Sequence, residues 1–229
     1  IMMNVNKFVL ASSSPRRREL IKLLDVCFSL VSPGIAERPP QAGENPLSYC
    51  AELAYLKASN VAISLDRGQL AIGADTVVTL DSRIMGKPID NVQAVQMLQS
   101  LKGRTHLVHT AIAIVQGSNH QVLERVTTTR VTMRNYSDEE ISEYIATGDF
   151  MDKAGAYAIQ HPVFIPAEKI EGCYLSVVGL PICELLELLN SVDSMPKVKL
   201  KIRSRQFDKC TQCPLSESGC DYEEIRKEL

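Results

Sequence analysis

A chain of 229 residues that is 45% hydrophobic and 23% charged has enough apolar material to bury a sizeable core, which excludes an intrinsically disordered protein. A net charge of −2 excludes a globally basic coat for nucleic acid and confines any anion site to a local cluster. No apolar run approaches the ~20 residues of a membrane span, and the opening IMMNVNKFVLASSS is too briefly apolar for a secretory signal, so the expected setting is cytoplasmic.

The chain begins with a strand over Phe8 to Ala11, then a helix from Pro15 to Leu24, with Ser14 as N-cap, Pro15 in the first turn and Leu20, Leu23 and Leu24 as its inward stripe. A loop rich in Pro and Gly follows. Leu47, Ala51, Ala54, Ala58, Val61 and Leu65 mark a long amphipathic helix that carries Lys57 beside its buried stripe. LAIGADTVVTL is a buried strand, followed by a polar turn around Asp81 to Arg83 and a short return strand ending in GKP.

Asp90 and Gln93 have the spacing of a capping box that opens a helix to Leu101. HLVHTAIAIVQ and QVLERVTTTRVTMR flank GSNH as a hairpin, and Ser137 with Glu140 opens a further helix that Gly148 stops. DKAGAYAIQ and CYLSVVG suggest short strands within loops, and Pro181 begins a last helix with Ile182, Leu185, Leu186 and Leu189 inward. Together these predict one α/β domain over residues 1–193, built on a mixed, twisted sheet with flanking helices.

From Ser194 the composition changes. Lys197, Lys199, Lys201, Arg203 and Arg205 alternate with Val198, Leu200 and Ile202 as a strand with one basic face would, and Cys210, Cys213 and Cys220 form C-x2-C-x6-C. That spacing suits a zinc or iron–sulfur knuckle short of one ligand, or a tail of free thiols. The other four cysteines, Cys27, Cys50, Cys173 and Cys183, lie in apolar contexts that predict reduced, buried thiols.

Four stretches carry chemistry. In LASSSPRRREL a strand ends in hydroxyl residues and turns into a helix, leaving backbone N–H groups at the positive helix end, where Arg16 and Arg17 would be disfavoured without an anion to hold. In GADTVV the carboxylate of Asp75 ends an apolar strand, where it serves either as a metal ligand or base, or as a turn cap. Lys57 and Lys87 can meet phosphate as point charges, and Glu37 can join Asp75 on a divalent cation. In KAGAYAIQ the small residues permit close approach of a ligand, and the Gln160 amide offers both a donor and an acceptor. His106 and His109 have no nucleophile motif beside them, so a Ser/His hydrolase is not supported.

The ordered set SSSPRR (12–17), LAYLKA (53–58), GADTVV (73–78), GKP (86–88), GRTH (103–106), DKAGAYAIQ (152–160) and VVGLP (177–181) resembles the Maf family of nucleoside triphosphate pyrophosphatases, from about residue 8 to 191. The resemblance implies cleavage between the α and β phosphates to give a monophosphate and pyrophosphate, with Mg²⁺ or Mn²⁺. It also implies a fold like that of inosine triphosphate pyrophosphatase, with two lobes around a cleft, and a homodimer. By position it makes Asp75 the proton acceptor and a metal ligand and Glu37 the acid that organises metal and water, with Ser12, Arg16, Arg17, Lys57 and Lys87 on the phosphates. Arg16, Thr76 and Gln160 fall on positions tied to base choice, and SPRR, GADT and AYAIQ resemble the subgroup acting on dTTP and UTP rather than the 7-methyl-GTP subgroup. The sequence departs from the family pattern at HPVF after Gln160 and at Cys173. A protein of another class, a division regulator contacting its partner through the tail, is the competing reading.

Overall fold

The computed structural model describes residues 7–117, 121–193 and 195–201. Strands β1 (Phe8–Ala11), β2 (Phe28–Val31), β3 (Leu70–Leu80), β5 (Thr105–Gln116), β6 (Val122–Met133) and β7 (Ala167–Glu171) form one sheet in the order β2-β1-β3-β5-β6-β7, and β4 (Arg83–Met85) pairs with β3 off that path. The β1–β2 and β1–β3 pairs are parallel and all others are antiparallel, so the sheet is mixed as the sequence predicts. Two crossovers make the parallel half: α1 (Pro15–Ile21) links β1 to β2, and α2 (Pro46–Ala62) links β2 to β3.

The helices cover both faces. Alternate residues of β1, β3 and β5 (Phe8, Leu10, Ile72, Ala74, Ile112, Ile114) pack with α1, α5 (Tyr174–Val178) and α6 (Ile182–Asn190). Their neighbours (Val9, Ala11, Ala71, Ala111, Ala113) pack on α2. A second core on the other side of the molecule holds α3 (Asn91–Leu101) and α4 (Asp138–Ala146) around Leu98, Tyr136, Tyr144 and Phe150.

One gap in the pairing shapes the molecule. The edge of β3 that faces β1 is paired at Leu70–Gly73, and the same edge is taken up by β4 only from Val78 onward. Between them Ala74 to Val77 meet no strand on that side among the described residues, while their opposite edge stays paired with β5. The cleft opens at this gap, beyond the carboxyl end of β1.

Local signals explain most elements. Asn45 caps α2 with Pro46 following, and the Ser137–Glu140 capping box of α4 is complete. At α3, Asp90 caps the Gln93 N–H, but the Gln93 side chain accepts from the Ile89 N–H, one residue before the cap. Asp81 and Ser82 take the left-handed conformation in the two-residue β3–β4 turn, and Arg104 holds both Asp81 oxygens at 2.8 Å.

The structure corrects four sequence expectations. CYLSVVG folds as the short helix α5, and DKAGAYAIQ as a loop with a 3-10 turn at Ala154–Ala156, because both segments pack against other elements rather than pairing in the sheet. FSLV and AEKIE supply the two edge strands β2 and β7, which were not anticipated. Helix α1 stops at Ile21, though Leu23 and Leu24 are still buried. Of the four cysteines placed in apolar contexts, Cys50 is buried, Cys173 and Cys183 are partly buried, and Cys27 is exposed.

The chain after α6 returns to the core: Met195 and Val198 are buried, and Leu200 bridges to Leu24. Ile202, Arg203, Arg205 and the cysteines Cys210, Cys213 and Cys220 lie outside the described residues.

Candidate functional site

The gap beside β3 becomes a cavity of about 410 Å³, bordered by the start of α1, the loop after β2, α2, β3, the segment after β4 and the 152–160 loop. Every residue singled out from the sequence borders it: Ser12, Arg16, Arg17, Glu37, Lys57, Asp75, Thr76, Lys87 and Gln160. They come from six separate stretches of chain.

At its floor lies a chain of charges. Lys57 Nζ sits 2.5 Å from Asp75 Oδ1 and 2.7 Å from Glu37 Oε1, and Lys87 Nζ lies 3.3 Å from Glu37 Oε2. Lys57 and Asp75 are only 5% and 6% exposed. Their closeness depends on Gly73: a Cβ there would lie 2.2 Å from the Ala54 carbonyl oxygen and 2.7 Å from the Ala58 amide nitrogen, so only glycine lets α2 sit this close to β3.

Burial pushes the Asp75 carboxyl above its ordinary value, against the pull of Lys57 and Arg17. For Glu37 burial acts the same way, but Lys57 and Lys87 outweigh it and hold the carboxyl below its ordinary value. The more basic carboxylate is thus the one set deepest.

The arginine triplet separates in role. Ser14 caps α1 and accepts from the Arg17 N–H, and Ser12 Oγ accepts from the Ser14 N–H at 3.1 Å. The Arg17 side chain turns inward, donating from Nε to the Gly179 carbonyl at 2.8 Å and from Nη2 to Thr76 Oγ1 at 3.1 Å. Burial pulls its guanidinium below the ordinary value while Asp75 opposes the shift. Arg16 lies at the rim, 3.6 Å from Asp152. Arg18 points elsewhere, its Nε buried without a partner among the described residues.

Two residues of the far wall were not singled out from the sequence. Asp152 faces Arg16, and the buried Lys153 joins it to Asp149 with contacts of 2.7 and 2.8 Å. Burial opposes ionisation of Asp152, but Lys153 and Arg16 hold its carboxyl below the ordinary value. Both residues lie inside the DKAGAYAIQ motif, so their position was marked while their charge was passed over. Gln160 borders the open side and is exposed. The HPVF departure is ordered locally by His161, whose Nδ1 accepts from the Phe164 N–H at 2.8 Å.

The donor set decides what kind of metal could fit. Among the described residues no group of three or more His, Cys, Asp or Glu is placed to hold an ion. Glu37 and Asp75 offer two carboxylates across one ammonium, which suits a hard divalent cation such as Mg²⁺ that takes most of its shell from phosphate oxygens and water. They do not make a closed all-protein site.

The Maf-like protein family matches residues 7–192. A dTTP/UTP pyrophosphatase of Dictyoglomus thermophilum is 44% identical over 184 residues, covering 80% of this chain and 95% of its own. Its counterpart in Pelotomaculum thermopropionicum is 42% identical over 185 residues, covering 81% and 96%, and that of Geobacter sulfurreducens is 42% identical over 193 residues, covering 84% and 100%. A family match over residues 7–192, with relatives aligned almost end to end, makes this chain a member of the Maf-like protein family.

Proposed function

We propose that the cleft hydrolyses nucleoside triphosphates, dTTP and UTP foremost, to the nucleoside monophosphate and pyrophosphate. The observation that carries this reading is the convergence of four cationic side chains (Arg16, Arg17, Lys57, Lys87) and two carboxylates (Glu37, Asp75) on one cavity, in a chain whose relatives bear the name dTTP/UTP pyrophosphatase. A polyphosphate needs the cations, and attack by water needs the base.

In this reading Asp75 accepts the proton of the attacking water. Its raised basicity favours proton uptake, and Lys57 keeps it ionised until then. Arg16 and Arg17, with Ser12, hold phosphate oxygens as guanidinium and hydroxyl donors, and Lys87 adds a point charge from the segment after β4. Glu37 and Asp75 would hold Mg²⁺ or Mn²⁺, which when bound lowers the pKa of water and neutralises charge on the phosphates. Lys57, the ammonium between the two carboxylates, would offer a proton donor to the leaving pyrophosphate. Arg16, Thr76 and Gln160 select the base.

The reaction unit is residues 1–193, with 194–229 as an extension from which Met195, Val198 and Leu200 pack on the core. We place the enzyme in the cytoplasm as a homodimer. Among the described residues no helix is long and apolar enough to cross a membrane, and the edge strand β2 exposes Leu30 and Val31. Sedimentation tests the dimer.

The direct test of substrate is product analysis with dTTP, UTP, CTP, 7-methyl-GTP and purine triphosphates in Mg²⁺. The expected result is monophosphate plus pyrophosphate, fastest from dTTP and UTP. Faster turnover of 7-methyl-GTP would reassign the base preference.

A further inference from the structure

The side chain that orients Arg17 is itself held by a line of buried hydroxyls. Arg17 Nη2 donates to Thr76 Oγ1, Thr76 Oγ1 lies 2.9 Å from Thr110 Oγ1, and Thr110 donates to the Ser176 carbonyl at 2.7 Å. Thr110 and Ser176 are fully buried.

The hydrogens along this line can have only one direction. A carbonyl only accepts, so the single Thr110 hydrogen belongs to Ser176. The Thr76–Thr110 contact must then use the Thr76 hydrogen, which leaves Thr76 with lone pairs alone for Arg17 and the cleft. Ser176 cannot shift to relax the line: its hydroxyl lies 2.8 Å from Thr129 Oγ1 and donates to the Cys173 carbonyl at 2.7 Å, and Thr129 Oγ1 accepts from the Cys173 N–H at 3.0 Å. These contacts pin α5 to β6. The C-cap of α5 is Gly179, whose carbonyl takes Arg17 Nε. Both tethers of Arg17 therefore lead to the same short helix, and no other partner holds the guanidinium among the described residues.

We propose that Thr110 is a positioning residue: it fixes the direction of the Thr76 hydroxyl and so holds the Arg17 fork with its remaining N–H groups toward the polyphosphate. This deepens the pyrophosphatase reading and rests on it for the identity of the anion. Thr110→Val keeps shape but removes the hydroxyl. The Thr76 hydrogen then has no acceptor at Thr110, and the side chain is free to rotate in search of one, carrying Oγ1 away from Arg17. Thr110→Ser keeps the hydroxyl and restores the line.

The test measures binding of inorganic tripolyphosphate by calorimetry and KM for dTTP in the wild type, Thr110→Val and Thr110→Ser, each also in an Arg17→Ala background. The expected result is a roughly tenfold loss of tripolyphosphate affinity and a similar rise in KM for Thr110→Val, with kcat changed about twofold or less. Thr110→Ser recovers most of the loss, and Thr110→Val adds less than about twofold once Arg17 is alanine. Equal binding by Thr110→Val and wild type, the same loss in the Arg17→Ala background, or a wild type that does not bind tripolyphosphate would overturn the proposal. A wild type that binds tripolyphosphate but turns over no nucleotide would contradict the pyrophosphatase reading alone, and the binding comparison would still decide the role of Thr110.

Discussion

Lys57 Nζ stands 2.5 Å from Asp75 Oδ1 with both side chains withdrawn from solvent, so the deepest carboxylate of the cleft is also the one held ionised by an ammonium. A buried pair of this kind is costly to break from one side, because the survivor is left as an uncompensated charge. Lys57→Met should therefore cost about 3 kcal/mol or more of stability. It should also raise the Asp75 pKa further, so the acidic limb of kcat/KM moves to higher pH. Urea melts and a pH–rate profile check both effects.

Gly73 is what allows that pair to form. Gly73→Ala drives a methyl group into the backbone of α2, and overpacking of this severity costs about 3 kcal/mol. The displaced helix carries Lys57 with it. Thermal melting should show a large fall in Tm, and activity measured well below the new Tm should be reduced more than tenfold.

His106 supplies a pH signature from a side chain that does not itself border the cleft. It is buried against Tyr157, with its Nδ1 unpartnered among the described residues, and burial lowers its pKa to about 4. The unfolded chain takes up a proton near pH 6.5 that the native state refuses, so stability falls as the pH drops from about 6.5 to about 4 and levels off on either side. Its share of that fall is on the order of 3 kcal/mol. In urea melts at pH 7 and pH 4.5, His106→Asn should show a smaller difference than the wild type; an unchanged difference would assign the loss to other groups.

Metal dependence follows from the two-carboxylate donor set. Chelation should abolish turnover and added Mg²⁺ restore it, and Glu37→Gln should raise the Mg²⁺ concentration for half-maximal rate by about tenfold with little change in Tm. Rates titrated with Mg²⁺ decide it.

Ser137→Ala serves as a contrast. It removes the N-cap of α4 and should cost about 1 kcal/mol without altering KM. A change in KM would show that α4 is coupled to the cleft.

Much of this was legible in the sequence. β1, α2, β3, the β5–β6 hairpin and α4 follow from period and caps, since each buries a continuous stripe of its own residues. β7 was hidden because AEKIE is a charged edge strand without clean alternation, and α5 because its Tyr, Val and Val favour a strand locally while packing against Arg17 and Thr110 selects a helix. Arginines at a helix start already pointed to an anion, and the family resemblance set Arg16 and Arg17 apart from Arg18, but the tethers that turn Arg17 inward did not show. The partners of Arg17 lie 59 and 162 residues away. The Lys57–Asp75 contact was equally invisible, because it depends on how closely α2 approaches Gly73, a distance that neither motif encodes.

Pyrophosphate release from dTTP and UTP by the wild type and Asp75→Asn, measured side by side with Mg²⁺, decides whether the cleft cleaves a triphosphate with Asp75 as its base. The wild type should turn over both nucleotides, and kcat should fall by at least about a hundredfold in the Asp75→Asn variant, which should still fold. Full activity in Asp75→Asn, or no pyrophosphate from either nucleotide with the wild type, would contradict it.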